Sequence, residues 1–480
     1  MLAIMLKRAL ALCYRVYYLS YKIDGPKMMQ ASKHDSSDDI AFQLLSAAKK
    51  AGADDADVLV AEGVSTNVEV RNATLELAER SEGIDLGLRV FLGKKQAIVS
   101  GSDGRPETIA AMAERAIAMA KEAPDDPYCG LAQPEDFAKD WDIAAYDLYD
   151  SSEEPDADHL QREACKLEAA ALECKGIEQT SNASASYSKS AVFLATSNGF
   201  SGSYQRTSHG LSCVAIAGTG LGMERDYDYD DRIHGRDLRP AEEIGRRAAE
   251  RALSRLNPEK PRSGVFPVLF DERVASSLIG HLINAVNGAS VARGSSWLRN
   301  HLNQQVLPAS LSLVEDPTRP RTSGSRPFDA EGLPKRPRHI VKDGILQGWT
   351  LDLSSARKLG MASTGNAARS AGSLPSPQVG NVTLGGGAKT RAELLSDMGT
   401  GLLVTSMIGS TINPNTGDYS RGAAGHWVEN GEIVSAVSEC TIAGNLKDML
   451  LRMIAGNDAQ VHLSRRVPSV LIEGMHIAGQ

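Results

Sequence analysis

One histidine is placed where chemistry on a helix would be expected. His281 lies in the stretch Glu272 to Ala289, where Ala275, Leu278, Ile279, Leu282, Ala285 and Val286 recur at helical spacing. His281 falls off that stripe and shares a face with Ser277, Asn284 and Gly288. A helix-borne zinc site needs a second imidazole one turn away, so that both meet the same ion, and a carboxylate beside the first as general base. Ser277 and Leu278 stand at those positions. One histidine cannot hold a catalytic zinc, and a polar contact in a cleft or interface is the better reading of His281.

Other nucleophile and phosphate patterns are weaker. Ser186-Tyr187-Ser188-Lys189 and Ser355-Ala356-Arg357-Lys358 match S-x-x-K, but the companion motifs of those acyl enzymes are missing. Gly218 to Gly222 lacks the full dinucleotide fingerprint and reads as a loop. Neither a G-x-S-x-G elbow nor a phosphate-binding loop occurs. Met223-Glu224-Arg225-Asp226-Tyr227 reads as a solvated strand end, with partner or peptide binding as the second reading. His426, before Trp427 in an expected hairpin, reads as a packing residue, and Cys440 as a small core residue.

The elements that must position these residues alternate between helix and strand. Helical periodicity covers Asp39 to Ala51, Pro106 to about Pro124, Asp156 to Cys174 and Ala241 to Leu256. Strand-like runs occupy Val58 to Val60, Val64 to Val70, Gly83 to Leu92 and Ala97 to Ser100. Hairpin turns are expected at Gly93-Lys94-Lys95, Asn198-Gly199, Asp343-Gly344 and Asn430-Gly431. Val265 to Phe270 reads as a buried strand leading into the His281 helix. Arg319 to Arg338 and Ala371 to Ala388 read as long loops. This pattern predicts an α+β fold with largely antiparallel sheets.

At 480 residues two domains are expected, since one core does not grow that large. The expected division is an N-terminal extension over 1–38, an α+β domain over 39–256, a Pro/Gly-bearing linker over 257–264 and a β-rich domain over 265–480. Within the extension, Arg15 interrupts the apolar run, and Met28 and Met29 precede a polar stretch. A start codon assigned too far upstream explains residues 1–27 better than targeting does. Without them the chain loses Lys7, Arg8, Arg15, Lys22 and Lys27 against Asp24, and its net charge goes from −8 to −12. This acidic balance argues against nucleic acid as a partner, and the absence of an 18-residue uncharged apolar span argues against a membrane. The six cysteines form no C-x-x-C pair and read as reduced thiols in a cytosol.

The run Gly417-Asp418-Tyr419-Ser420-Arg421-Gly422-Ala423-Ala424-Gly425-His426-Trp427, followed by Glu429-Asn430-Gly431-Glu432 and Glu439-Cys440-Thr441-Ile442-Ala443-Gly444-Asn445-Leu446, resembles the PmbA (TldE) branch of the TldD/PmbA family. Phe328-Asp329-Ala330-Glu331-Gly332, Lys342-Asp343-Gly344-Ile345-Leu346 and Ala478-Gly479-Gln480 extend the similarity in order along the chain. The resemblance implies a two-domain cytoplasmic protein with a role in proteolysis, acting on unfolded peptides. It further implies pairing with a TldD-like subunit that supplies zinc, none being held by this chain, and leaves a homodimer open.

In the sister branch the helix resembles H-E-x-x-x-H, with a Cys near the C-terminus as third ligand. Aligned on His281, the first His and the Glu fall on Ser276 and Ser277, and Arg465 to Ser469 contains no Cys. The resemblance therefore implies a non-catalytic subunit whose His281 is a lone remnant. His281, Asp418, Tyr419, Arg421 and His426 are the candidate peptide- or partner-binding residues. Two other functions stay open from the residues: an independent hydrolase with an unrecognised Ser/His/Asp set, and a peptide-binding scaffold without proteolysis.

Overall fold

Residue parity sets out the first half of the chain. The computed structural model describes residues 37–479, so the expectation of a mis-assigned start at 1–27 lies outside the described residues. Helix α1 (Ser37–Ala51) leads into β1 (Asp55–Arg71), where the segments expected at Val58 to Val60 and Val64 to Val70 prove to be one strand. Val58, Val60, Val68 and Val70 are fully buried on one face of β1, while Leu59 meets a different cluster on the other.

β1 turns at Asn72 and Ala73, both at positive φ (53° and 55°), into β2 (Thr74–Leu92) and then β3 (Lys95–Gly101). Helix α2 (Pro106–Glu122) follows, with Ile109, Met112, Ala113, Ala116, Ile117 and Ala120 buried along one stripe. Helix α3 (Ala157–Leu172) is capped by Asp156, whose carboxylate accepts from the His159 N–H. Glu168 of α3 holds the β1–β2 turn: its carboxylate accepts from the N–H groups of Asn72 (2.9 Å) and Ala73 (2.6 Å) and from the Thr180 hydroxyl (2.7 Å).

Strands β4 (Ile177–Thr196), β5 (Ser201–Ala217) and β6 (Glu224–Arg232) complete an antiparallel sheet of order β3-β2-β1-β4-β5-β6. Helix α4 (Ala241–Leu253) packs with α3 over the Val68 end of the sheet, and α1 with α2 over the Val58 end.

Beyond 263 the chain becomes mixed. Strand β7 (Gly264–Phe270) feeds helix α5 (Glu272–Ala285), which ends four residues short of expectation; Asn287 then caps a separate short helix, Gly288–Ala292. Strands β8 (Ser312–Glu315), β9 (Arg338–Lys342) and β10 (Val382–Gly385) form a small sheet with Ile345–Leu346 and Arg465–Arg466 at its edges. β10 corrects the expectation of a loop throughout Ala371 to Ala388. The 319–337 segment carries no long helix or strand but is tied internally. Buried Asp329 accepts from the N–H groups of Glu331, Leu333 and Ala367 at 2.9, 3.0 and 2.9 Å.

Strands β11 (Gly401–Ile412), β12 (Asp418–Glu429), β13 (Glu432–Asn445) and β14 (Val470–Ala478) join β7 in the order β13-β12-β11-β7-β14. β13 also pairs with β14 through Thr441–Ala443, which closes the five strands into a ring. The expected turns at Asp343-Gly344 and Asn430-Gly431 are present, both residues of each at positive φ. The stripe of α5 is buried in the same core as Val268, Trp427, Ile442 and Ile472. The fold is α+β.

Candidate functional site

The polar side of α5 carries two separate sites. Asp271 caps the helix by accepting from the Arg273 N–H, which fixes the first turn and sets which residues face outward. On one side His281 packs edge-on against Tyr419 of β12, with ring centroids 5.9 Å apart. Its Nε2 is buried without a hydrogen-bond partner. Burial, helped by the nearby Arg421 guanidinium, lowers His281 to about 4, so the imidazole is neutral at neutral pH. Tyr419 donates to the Met407 sulfur (3.4 Å), and burial pushes its phenol up to about 12. Arg421 Nε donates to the Gly409 carbonyl at 2.7 Å.

Of the five residues singled out from sequence, His281, Tyr419 and Arg421 come together, and two stand apart. Asp418 is exposed at the start of β12, accepting from the Thr416 hydroxyl (2.6 Å) and the Asn445 amide (3.0 Å). His426 lies farther along β12, its Nε2 3.1 Å from the Ser254 carbonyl. Because a carbonyl only accepts, Nε2 carries the proton and Nδ1 is the acceptor. That Nδ1 has no partner, and His426 borders a cavity of about 140 Å³ together with Thr405, Asp271 and Arg391.

A larger cavity, about 300 Å³, opens on the Ser276 side of the helix, between β6, α4 and the loop after Gln460. Asp228 of β6 lines it, one of a row of aspartates on that strand. Asp226, Asp228 and Asp230 alternate along β6, so all three point to one face, and all three are buried. Asp226 meets Arg273 (2.8 Å) and Arg255 (3.7 Å). Asp228 meets Arg239 (2.9 Å) and Arg251 (2.7 Å). Asp230 meets Arg232 (2.9 Å) and His462 (3.4 Å).

This corrects the reading of Met223 to Tyr227 as a solvated strand end: Asp226 is a buried ion-pair partner. The signal was in the sequence, where Asp recurs at every second position from 226 to 230. Its counter-charges come from distant segments, and sequence periodicity does not show them. Opposite, Arg465 approaches the helix so closely that a Cβ on Gly280 would lie 3.4 Å from its guanidinium.

Three profiles of the PmbA/TldA metallopeptidase match consecutive parts of the sequence: domain 1 over residues 56–120, the central domain over 150–256 and the C-terminal domain over 263–479. The metalloprotease PmbA of Escherichia coli O157:H7 is 38% identical over 429 residues, 89% of this chain and 93% of that protein.

This chain belongs to the PmbA/TldD metallopeptidase family.

A Haemophilus influenzae protein named as a PmbA homologue is 37% identical over 454 residues, covering 94% of this chain and 98% of its own. Among solved structures of similar fold, a Bacteroides thetaiotaomicron protein named for a proposed role as a modulator of DNA gyrase superposes with a TM-score of 0.86. The match has 26% identity and covers 93% of this chain and all of that one.

The family name implies a metal, and the residues here do not fit one. Among the described residues no three His, Cys, Asp or Glu side chains gather as a metal site. The two positions that the family resemblance gives to a His and a Glu hold Ser276 and Ser277. Ser277 spends its hydroxyl on the Val274 carbonyl, at 2.8 Å. Across the cavity from Ser276 stands the Arg465 guanidinium, a fixed positive charge that repels a divalent cation. None of the helices described is long and apolar enough to cross a membrane.

Proposed function

We propose that this chain is the non-catalytic, PmbA/TldE-like component of a cytoplasmic peptidase acting on unfolded peptides, and that it pairs with a TldD-like subunit holding the zinc. One observation carries the reading: Ser276 and Ser277 occupy the helix positions where the family resemblance places a zinc ligand and the general base, and the Arg465 guanidinium lines the same cavity as Ser276. Paralogous subunits that share a fold can divide labour in this way, one supplying the metal and the other completing the chamber that admits substrate. Such a pairing surface buries well over ~1,000 Å².

A second reading, an independent hydrolase, has one observation behind it: Ser186 and His209 line the same cavity of about 540 Å³ near Asp150. His209 Nε2 makes no hydrogen bond, however, so no base is aligned on the serine.

The test is a peptidase assay on an unfolded substrate, with this chain alone and mixed with a TldD-like subunit, each with and without a zinc chelator. Inactivity alone and chelator-sensitive activity in the mixture are expected. Chelator-resistant activity of the chain alone would overturn the proposal in favour of the hydrolase.

A further inference from the structure

The cavity beside Ser276 carries more positive charge than its own carboxylates neutralise. Six arginines line it: Arg232, Arg239, Arg247, Arg251, Arg273 and Arg465. Asp226, Asp228 and Asp230 answer four of them, as described above. Arg247 and Arg465 have no carboxylate partner among the described residues. Glu272, the remaining acid in the wall, faces Asp271, and burial together with that carboxylate raises it to about 7. It therefore offsets the arginines only in part at neutral pH. The crowding is felt by Arg251, which burial and the neighbouring Arg273 and Arg247 hold below the usual arginine range.

A guanidinium presents parallel N–H donors in a plane, which matches a carboxylate in two hydrogen bonds at once. About 300 Å³ is at the small end of ligand sites, enough for a chain end but tight for a strand passing through. At the mouth the rings of Tyr227 and Tyr229 stack 6.1 Å apart, 44% and 40% exposed, and offer flat apolar faces to an extended peptide. Arg465 is exposed opposite them.

We propose that this arginine-walled cavity binds the C-terminal carboxylate of a peptide, with Arg247 and Arg465 as the anion-binding pair and Tyr227 and Tyr229 flanking the last residues. The assignment rests on the reading of this chain as a peptide-handling component, and it names the part of the peptide held here. It gives the missing metal site a positive role, that of an anchor for the chain end while cleavage takes place elsewhere.

The test is binding of a labelled unstructured peptide to the full chain, measured by fluorescence anisotropy. The same sequence is used as a free acid, as a C-terminal amide, and as an amide carrying an internal Glu; inorganic phosphate serves as a competitor. The free acid should bind at least about tenfold tighter than either amide, the scale of one charge-assisted hydrogen bond. Arg465→Ala and Arg247→Ala should each remove about that factor for the acid and leave the amide unchanged. Arg465→Lys should restore part of it, and thermal melts should show all three variants folded.

Equal binding of acid and amide, binding of neither, or indifference to Arg465→Ala would overturn the proposal. Tight binding of the Glu-bearing amide would overturn the assignment to a chain end. Displacement by phosphate at concentrations that leave the acid no tighter than the amide would reduce the site to a general anion hole. The peptidase mixture reports separately: an active mixture with acid and amide equal sinks the anchor alone. An inactive mixture with a strong preference for the acid sinks the pairing alone.

Discussion

Two polar clusters border helix α5, and they are built on opposite principles. The His281–Tyr419–Arg421 cluster is small and its imidazole is neutral, kept so by burial with no acid nearby to charge it. The Asp226–Asp228–Asp230 cluster is large and charged, each aspartate lying between two arginines. The difference shows where charge is concentrated beside this helix. The lone histidine behaves as a packed aromatic ring, whereas the face next to Ser276 keeps an ordered field of fixed charges. A shared cation site needs neutral or anionic ligands converging on one point, and neither cluster offers that.

The comparison can be broken first at Asp228. Asp228→Ala leaves Arg239 and Arg251 facing each other without their carboxylate and should cost about 3 kcal/mol, as removal of one partner from a buried ion pair does. His281→Leu, which removes an unsatisfied nitrogen while filling the space, should change stability by less than ~1 kcal/mol. Urea denaturation of both variants beside the parent checks the contrast, and equal losses would contradict it.

The two clusters should also pull stability in opposite directions with pH. The folded value of His281, about 4, lies below the ordinary 6.5, so the unfolded chain takes up that proton more readily. Its contribution is complete above 6.5 and is lost as pH falls toward 4. Glu272 is raised from 4.5 to about 7, so its contribution is complete below 4.5 and is lost as pH rises through 7. His281→Leu should therefore flatten the acid limb of a melting-temperature profile and Glu272→Gln the neutral limb. Either variant flattening the other limb would show that the charges are misassigned.

The smallest effect is expected at Asp418, which is exposed, with exposed Thr416 and half-buried Asn445 as its partners. Asp418→Ala should move stability by less than ~1 kcal/mol in the same denaturation series.

Much of this was legible in the sequence where the controlling interactions are local. The apolar stripe of Pro106–Glu122 and the turns at Asp343-Gly344 and Asn430-Gly431 depend on residues a few positions apart. The stripe of α5 and the off-stripe position of His281 follow from the same periodicity. What failed to show depends on distant partners. Asn72-Ala73 lacks the glycine of a recognisable turn because Glu168, almost a hundred residues later, supplies its hydrogen bonds. β10 is hidden among Gly and Pro because its order comes from pairing with β8. The β6 aspartates look solvated until Arg239, Arg251, Arg255, Arg273 and His462 are brought around them. At the site, His281, Tyr419 and Arg421 were picked out and do meet. The arginine cavity was not, because no one segment holds enough of it to form a motif.

The central proposal is that fixed positive charge, and not a metal, defines the face of α5 at Ser276. Its most direct test is the zinc content of the full chain after incubation with excess zinc and dialysis, for the parent and for His281→Ala. The account predicts well under one zinc per chain and the same residual content in both. One zinc per chain, retained through dialysis and lost in His281→Ala, would contradict it.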